Sequence, residues 1–327
     1  MQEIKISLVF FRNLNIIKAP QILVGIQQYR YFDIPTARIV INDKSGKKGD
    51  FMKFSIVIPS YNQAEFLERT LLSVINQGVE TEIIVIDGGS TDNSVEIIKK
   101  YEDKIAYWVS EKDRGQSHAL NKGFAKATGD IFGWQNSDDV YMPGAFKKVQ
   151  EVFEKFPDKK IVYGNWYEID ENDNVIDKTY SAPKPRIPHF SYEGFDCYNQ
   201  TMFWRKSVHE KFGQHDESLH MLMDDDMIFR FIFQEGVDSF YKINDFLAAF
   251  RRTSTQKSPD DHLNETTILN EKMLAEKFGF PPENSFAGKY YRVRHRFAKL
   301  WWHLTQGGVR YTWHKFWRGY RKRGKIF

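Results

Sequence analysis

The sequence predicts an α/β fold, a mostly parallel sheet flanked by helices in the Rossmann-like manner. Two observations carry this. Short apolar runs rich in β-branched residues, FSIVIP from Phe54 and EIIVID from Glu82, read as strands buried on both faces. They alternate with segments whose apolar residues recur at helical spacing. A strand that must return parallel to its neighbour needs such a crossover.

The elements follow in order. After FSIVIP comes SYNQAE, where Asn62 and Glu65 have the spacing of a capping box. Leu67, Leu71, Val74 and Ile75 then mark a helix. EIIVID ends at Asp87 in the turn GGSTDNS, whose Asp92 is placed to cap the helix VEIIKKY. IAYWVS is a third strand, Ser117 to Ala127 a helix that stops near Gly129, and DIFGWQNSDD a fourth strand ending in acid. Beyond Gly144 the rhythm changes. AFKKVQEVFEKF is amphipathic, KKIVYGNWYEID and NVIDKTY form a hairpin, Asp225 to Gln234 is a helix closed by Gly236, and SFYKINDFLAAF is a late strand.

The chain of 327 residues is long enough for one large domain with additions. Its single cysteine, Cys197, excludes an intrachain disulfide and fits a reducing, cytoplasmic compartment. No apolar run reaches the roughly 18 residues that suggest a membrane-spanning helix. The net charge of +4 conceals an asymmetry: 12 Lys and Arg follow the last acidic residue, Glu283, which leaves −8 for everything before them.

In an open α/β sheet, ligands bind beyond the carboxyl ends of the strands. Three polar clusters sit there: Ser60-Tyr61-Asn62, Asp87 to Asp92, and Asn136-Ser137-Asp138-Asp139. No GxGxxG or GxxxxGK[ST] pattern follows these strands, so no glycine cradle for phosphate is present. A diphosphate bound here needs a metal as counter-charge, and carboxylate oxygens suit Mn2+ or Mg2+. Taken alone, the pair Asp138-Asp139 is equally ordinary turn chemistry.

The runs IVIPSYNQAEFLERTLLSVINQ, EIIVIDGGSTDNS, DRGQSHALNKGFAKATGD and GWQNSDDVYMPGA, in this order, closely resemble the family 2 glycosyltransferases, inverting enzymes of GT-A fold. The resemblance spans roughly residues 54–250. It implies transfer of one sugar from a nucleotide-sugar donor, with a UDP-sugar as the default, to a hydroxyl of a glycan or lipid-linked acceptor in cell-surface polysaccharide synthesis. It implies that Pro59, Tyr61, Asn62, Asp87, Arg114 and Gln116 line the nucleotide pocket, that Asn136 and Asp138 complete it, and that Asp138 and Asp139 hold the metal. Many relatives have Asp where this chain has Asn136, which leaves the metal to the following pair. The segment QTMFWRKSVHEKFGQHDESLHMLMDDDMIFRF resembles the part carrying the catalytic base, which implies Asp224, with Asp226 in support and Gln200, Trp204 and Arg230 at further matched positions. FRRTSTQKS resembles a loop over the donor diphosphate, with Arg251 or Lys257 as its cation.

The expected organisation is an extension over 1–51, a GT-A domain over 52–255 and a helical, basic, aromatic C-terminal region over 256–327. That region interleaves Trp301, Trp302, Trp313 and Trp317 with basic residues. Such composition suits an anionic membrane surface at the cytoplasmic face, through residues 286–327, rather than nucleic acid. Two competing readings are a non-catalytic nucleotide- or carbohydrate-binding homologue, which Asn136 favours, and a sugar nucleotidyltransferase, which would carry a glycine- and Arg/Lys-rich loop after its first strand. A processive synthase would show spanning helices and a QxxRW motif. Lys44 to Asp50 reads as a polar linker, and Met52 just after it is a candidate start of the native chain. Mass spectrometry of the native protein checks this: an N-terminal peptide from before Met52 refutes it.

Overall fold

In the computed structural model the described residues are 52–185, 197–253, 272–281 and 285–323, with side chains described through Trp317. The expected N-terminal extension, the linker and Lys257 lie outside them. Apart from 172–174, the described residues belong to one compact unit.

The first half builds β1 (Phe54–Ser60), α1 (Ala64–Ile75), β2 (Thr81–Asp87), α2 (Ser94–Lys100), β3 (Tyr107–Ser110), α3 (Gln116–Phe124) and β4 (Ile131–Trp134). All of these strands run parallel, in the order β3-β2-β1-β4. The order reverses at β1, since the chain first steps outward to β2 and β3 and then crosses back to the other side of β1. Loops after β1 and β4 therefore leave in opposite directions and open a crevice between them.

The second half adds β5 (Val140–Tyr141), α4 (Ala145–Lys155), β6 (Ile161–Ile169), β7 (Val175–Thr179), β8 (Phe203–Arg205), α5 (Lys206–Phe212), α6 (Met223–Glu235) and β9 (Phe240–Arg251). Its pairings are mixed. β8 joins β4 and β6 antiparallel, β6 and β9 form a long parallel ladder, and β5 closes the edge against the end of β9. The hairpin read from sequence is the antiparallel β6–β7 pair.

Period-two alternation sorts the strand residues onto two faces. Phe54, Ile56 and Ile58 of β1 join Ile83 and Val85 of β2 under Leu67, Leu71, Phe146 and Val149 of α1 and α4. Val57, Ile84 and Ile86 face the other way, against Leu120 and Phe124 of α3 and Phe231 of α6. Helices cover both faces, as the strand patterning requires. Pro59 fits this central strand because β4 pairs only as far as Val57, so its missing N–H removes no ladder bond on that side.

The expected capping box at Asn62 and Glu65 does not form. Asn62 takes a left-handed φ of +51°, and α1 starts two residues later, at Ala64, after an N-cap residue with no side-chain bond. Asp92 does the capping instead. One of its oxygens accepts from Ala64 N at 2.9 Å and the other from Ser94 N at 3.0 Å, so a single carboxylate serves the starts of both α1 and α2. The positive ends of both helices favour its charge.

The C-terminal region is helical: α7 (Phe286–Trp302), a π-turn over His303–Gly307, and α8 (Gly308–Arg323). Among the described residues no helix is long and apolar enough to cross a membrane.

Glu82, at the opposite end of the sheet from the crevice, fastens β2 to β1 and to the 128–129 turn. Its carboxylate accepts from Ser55 Oγ, Thr128 N, Thr128 Oγ1 and Lys53 Nζ. Burial alone would raise its pKa, but these bonds outweigh it and lower the value from 4.5 to about 2. The stabilisation is therefore present above about pH 4.5 and is lost as the pH falls toward 2. Glu82→Gln should cost about 2–3 kcal/mol at neutral pH and flatten the pH dependence of urea unfolding between those limits. An unchanged profile refutes the assignment.

Candidate active site

The crevice at the ends of β1, β2 and β4 brings the three polar clusters together. Asp87 ends β2 fully buried. It accepts from Gly89 N at 3.1 Å, Ser90 N at 2.9 Å, Ser90 Oγ at 2.5 Å and Ser110 Oγ at 2.6 Å, so its carboxylate shapes the loop after β2. Gly88 lets Asp113 approach closely: a Cβ would lie 2.8 Å from Asp113 Oδ2 and would push that side chain aside. The loop after β1 knits to the same turn, with Asn62 N donating to Ser90 Oγ at 2.8 Å and Thr91 N to Asn62 Oδ1 at 2.9 Å. Tyr61, at the tip, is 59% exposed and offers a ring face at the rim. Ser60 Oγ and both amide atoms of Gln135, at the ends of β1 and β4, are buried without a partner among the described residues. Polar atoms left so are expected to meet water or ligand.

The turn after β4 places its two acids differently. Asp139 is fully buried. Its Oδ1 accepts from Arg251 N at 2.8 Å; its Oδ2 accepts from Gln200 Nε2 at 2.7 Å and Asn136 Nδ2 at 3.3 Å. Thr70 of α1 clamps the same turn by donating to the carbonyls of Ser137 and Asp139. The carboxylate of Asp138 is half-buried and, among the described residues, takes no hydrogen bond from another side chain. Burial raises the pKa of both carboxyls, and the charge of Asp138 adds to the effect on Asp139.

The contacts of Asn136 show why an amide suits this position. Its Oδ1 accepts from Gln116 Nε2 and Trp134 Nε1, both at 2.9 Å, while its Nδ2 donates to Asp139. A carboxylate there would have no donor to offer Asp139 and would add a third negative charge. Gln116, at the start of α3, is thus tied to the acidic turn. Arg114 is not: it is exposed and pairs with Glu217 at 2.6 Å. Asn121, which donates to the carbonyl of His215, also donates to Glu217.

Asp224 sits half-buried in the first turn of α6, beside Asp225 and Asp226. Asp226 is fully buried and is taken up by Lys277 at 2.7 Å and Arg230 at 2.8 Å. The chain enters α6 through Leu222, whose left-handed φ of +59° costs about 1 kcal/mol or more. Tyr198 links this turn to the acidic pair. Burial raises the pKa of its phenol well, and the charges of Asp139, Asp224 and Asp138 raise it further, while Arg252 opposes them. The ring stacks on Trp166 with centroids 5.5 Å apart.

Two expected contributors lie elsewhere. Trp204 is fully buried in the core and offers no face to a sugar. Arg251 is fully buried, donating to the carbonyls of Asp138 at 2.8 Å and Asp170 at 2.9 Å, so it braces the turn instead of reaching into the crevice. Tyr198 and Gln135 were not singled out from sequence, and nothing in their neighbours marks them.

Among the described residues no three acidic, His or Cys side chains converge as a metal cage. One open carboxylate with a second behind it nevertheless fits Mn2+ or Mg2+ bound partly by substrate phosphates, where one or two protein carboxylates suffice.

An open α/β sheet whose strand order reverses at β1, with an acidic turn after β4, has the architecture of the GT-A class. The fold likeness extends to solved structures: S. aureus TarS residues 1–349 in complex with UDP (TM-score 0.55, 16% identity, 78% of this chain and 72% of that one). A mannosyltransferase from Pyrobaculum calidifontis, in complex with GDP-Man and Mn2+, is similar at TM-score 0.50 and 15% identity, covering 83% of this chain and 80% of that one. Residues 55–213 match the family model described as glycosyl transferase family 2. Uncharacterized glycosyltransferases of Nostoc sp. (38% identity, 42% of this chain and 43% of the relative) and Rickettsia typhi (31%, 54% and 58%) are similar in sequence. The chain thus spans about half the length of these curated relatives.

The two acids predict different outcomes on truncation. Asp139→Ala orphans donors from three segments and should cost about 3 kcal/mol in urea unfolding. Asp138→Ala removes no such bond and should stay within about 1 kcal/mol of the parent. Equal losses would refute the division between the acids.

Proposed function

We infer that the protein is an inverting, metal-dependent glycosyltransferase that moves one sugar from a nucleoside diphosphate sugar to a hydroxyl of a glycan or lipid-linked acceptor. The observation that carries this is the placing of buried Asp87 and of the acidic turn Asp138-Asp139 at the same ends of adjacent parallel strands, on the two sides of β1. The match of residues 55–213 to the family 2 model supports the reaction class.

The donor base and ribose lie against Pro59, Tyr61, Asn62, Asp87 and Gln116, with Arg114 swinging from Glu217 toward the donor. A UDP-sugar is the donor to test first and a GDP-sugar the second. Mn2+ or Mg2+, held through Asp138 with Asp139 fixing the turn behind it, would supply counter-charge for the diphosphate. Asp224 accepts the proton of the acceptor hydroxyl as its oxygen bonds to the anomeric carbon. The bond from that carbon to the diphosphate breaks on the opposite face, which inverts the centre. The positive end of α6 favours the negative charge Asp224 needs before it acts. We place the reaction in cell-surface polysaccharide synthesis, at the cytoplasmic face of a membrane where lipid-linked acceptors are presented.

Asp224→Asn should lower turnover by about 10²–10⁴-fold while donor affinity stays within about twofold. Asp138→Ala should abolish the Mn2+-dependent thermal stabilisation by nucleoside diphosphate that the parent shows. Near-normal turnover of Asp224→Asn would remove it as the base. A parent chain stabilised by no nucleoside diphosphate with either metal would overturn the donor class.

A further inference from the structure

The two C-terminal helices are sorted by face in a way that composition alone does not reveal. At about 100° per residue, Phe286, Tyr290, Val293, Phe297, Leu300 and Trp301 fall within one arc of about 100° on α7, and all are exposed. Gly288, His295 and Trp302 are buried and lie about 180° away. Phe286 is 89% exposed and Trp301 69%, whereas Trp302, the next residue, is 5% exposed within the main core. On α8, Val309, Trp313, Phe316 and Trp317 again form one exposed face, while Tyr311 is buried.

The buried side is firmly attached. Tyr180 N donates to Tyr311 Oη at 3.3 Å, and the two rings meet edge-on at 4.9 Å. Lys315 donates to Asp177 at 2.8 Å and Thr179 at 2.9 Å. Lys242 of β9 donates to Gln306 in the π-turn. Packing on the core and exposure of aromatic rings are therefore properties of opposite faces of the same helices.

An apolar arc of this size turned to water marks an interaction surface. Its borders indicate the partner's charge. Lys289 and Arg294 flank the arc on α7, Arg310 borders it on α8, and no acidic residue occurs after Glu283. Apolar rings between cations match the boundary between acyl chains and anionic headgroups.

We propose that this face is an in-plane membrane anchor. The rings of Phe286, Phe297, Trp301, Trp313 and Phe316 enter the acyl boundary of an anionic leaflet, and the opposite face holds the transferase domain. The proposal rests on the peripheral placement inferred above and specifies the surface that achieves it. Because α8 is bonded to β7, the π-turn to β9, and Trp302 at the end of α7 is packed in the core, the anchor would hold the domain in one orientation rather than on a flexible tether.

The full chain is sedimented with vesicles of phosphatidylglycerol mixed with phosphatidylcholine and with phosphatidylcholine alone. The parent should bind the anionic vesicles and show tryptophan quenching by brominated acyl chains. A variant combining Phe297→Ser, Trp301→Ser, Trp313→Ser and Phe316→Ser should bind about tenfold more weakly or worse. Its urea unfolding and nucleotide-induced thermal shift should match the parent, which separates lost docking from lost folding. Equal vesicle binding by parent and variant overturns the proposal, as does a parent indifferent to anionic vesicles. Light scattering that finds a parent dimer split by these substitutions, without vesicle binding, assigns the face to a second copy and also overturns it. Vesicle binding is read without donor and the thermal shift without vesicles, so failure of one leaves the other reading standing.

Discussion

A buried carboxylate sets the architecture of the candidate site. Asp139 has no access to water, and a charge placed there is costly unless donors surround it. The donors come from the end of β9, the turn before β8 and the residue three positions earlier. Satisfying Asp139 therefore requires the second half of the chain to be folded back onto the first. It also decides what the neighbouring acid does. With Asp139 turned inward, Asp138 is the more exposed acid of the pair.

The first half of this arrangement was legible in the sequence because its information is local. The continuous apolar runs of FSIVIP and EIIVID, and helical spacing in Leu67, Leu71 and Val74, each lie within one element. The polar clusters at strand ends needed only the further rule that parallel strands share a carboxyl edge. Asn62 shows where local reading failed. Its spacing from Glu65 suits a capping box, but a more distant carboxylate, Asp92, reaches α1 first and frees Asn62 to brace the neighbouring loop.

Long-range partners account for the other differences. Arg251 looked like a phosphate ligand because arginine in a polar loop often is one; only the register of β9 against β5 shows that it ends beneath the acidic turn. Trp204 lay in a matched segment, yet strand pairing with β4 and β6 puts it in the core. The adjacent Trp301 and Trp302 are indistinguishable by composition and differ only in helical phase. Asn136, which read as a weakened site residue, gains its meaning from Gln116, Trp134 and Asp139 together.

The bond between Arg251 N and Asp139 spans 112 positions of sequence, and it begins inside and ends outside the stretch, 55–213, that matches the family model. The portion shared most recognisably with relatives is therefore not a self-sufficient folding piece. Cut after residue 213, it would retain every motif by which it is recognised and still lack the main-chain amide that orients its acidic turn. Inheritance and mechanical integrity have different boundaries in this chain. Exchanging recognisable segments between relatives would transplant the signature without the strand that gives it shape.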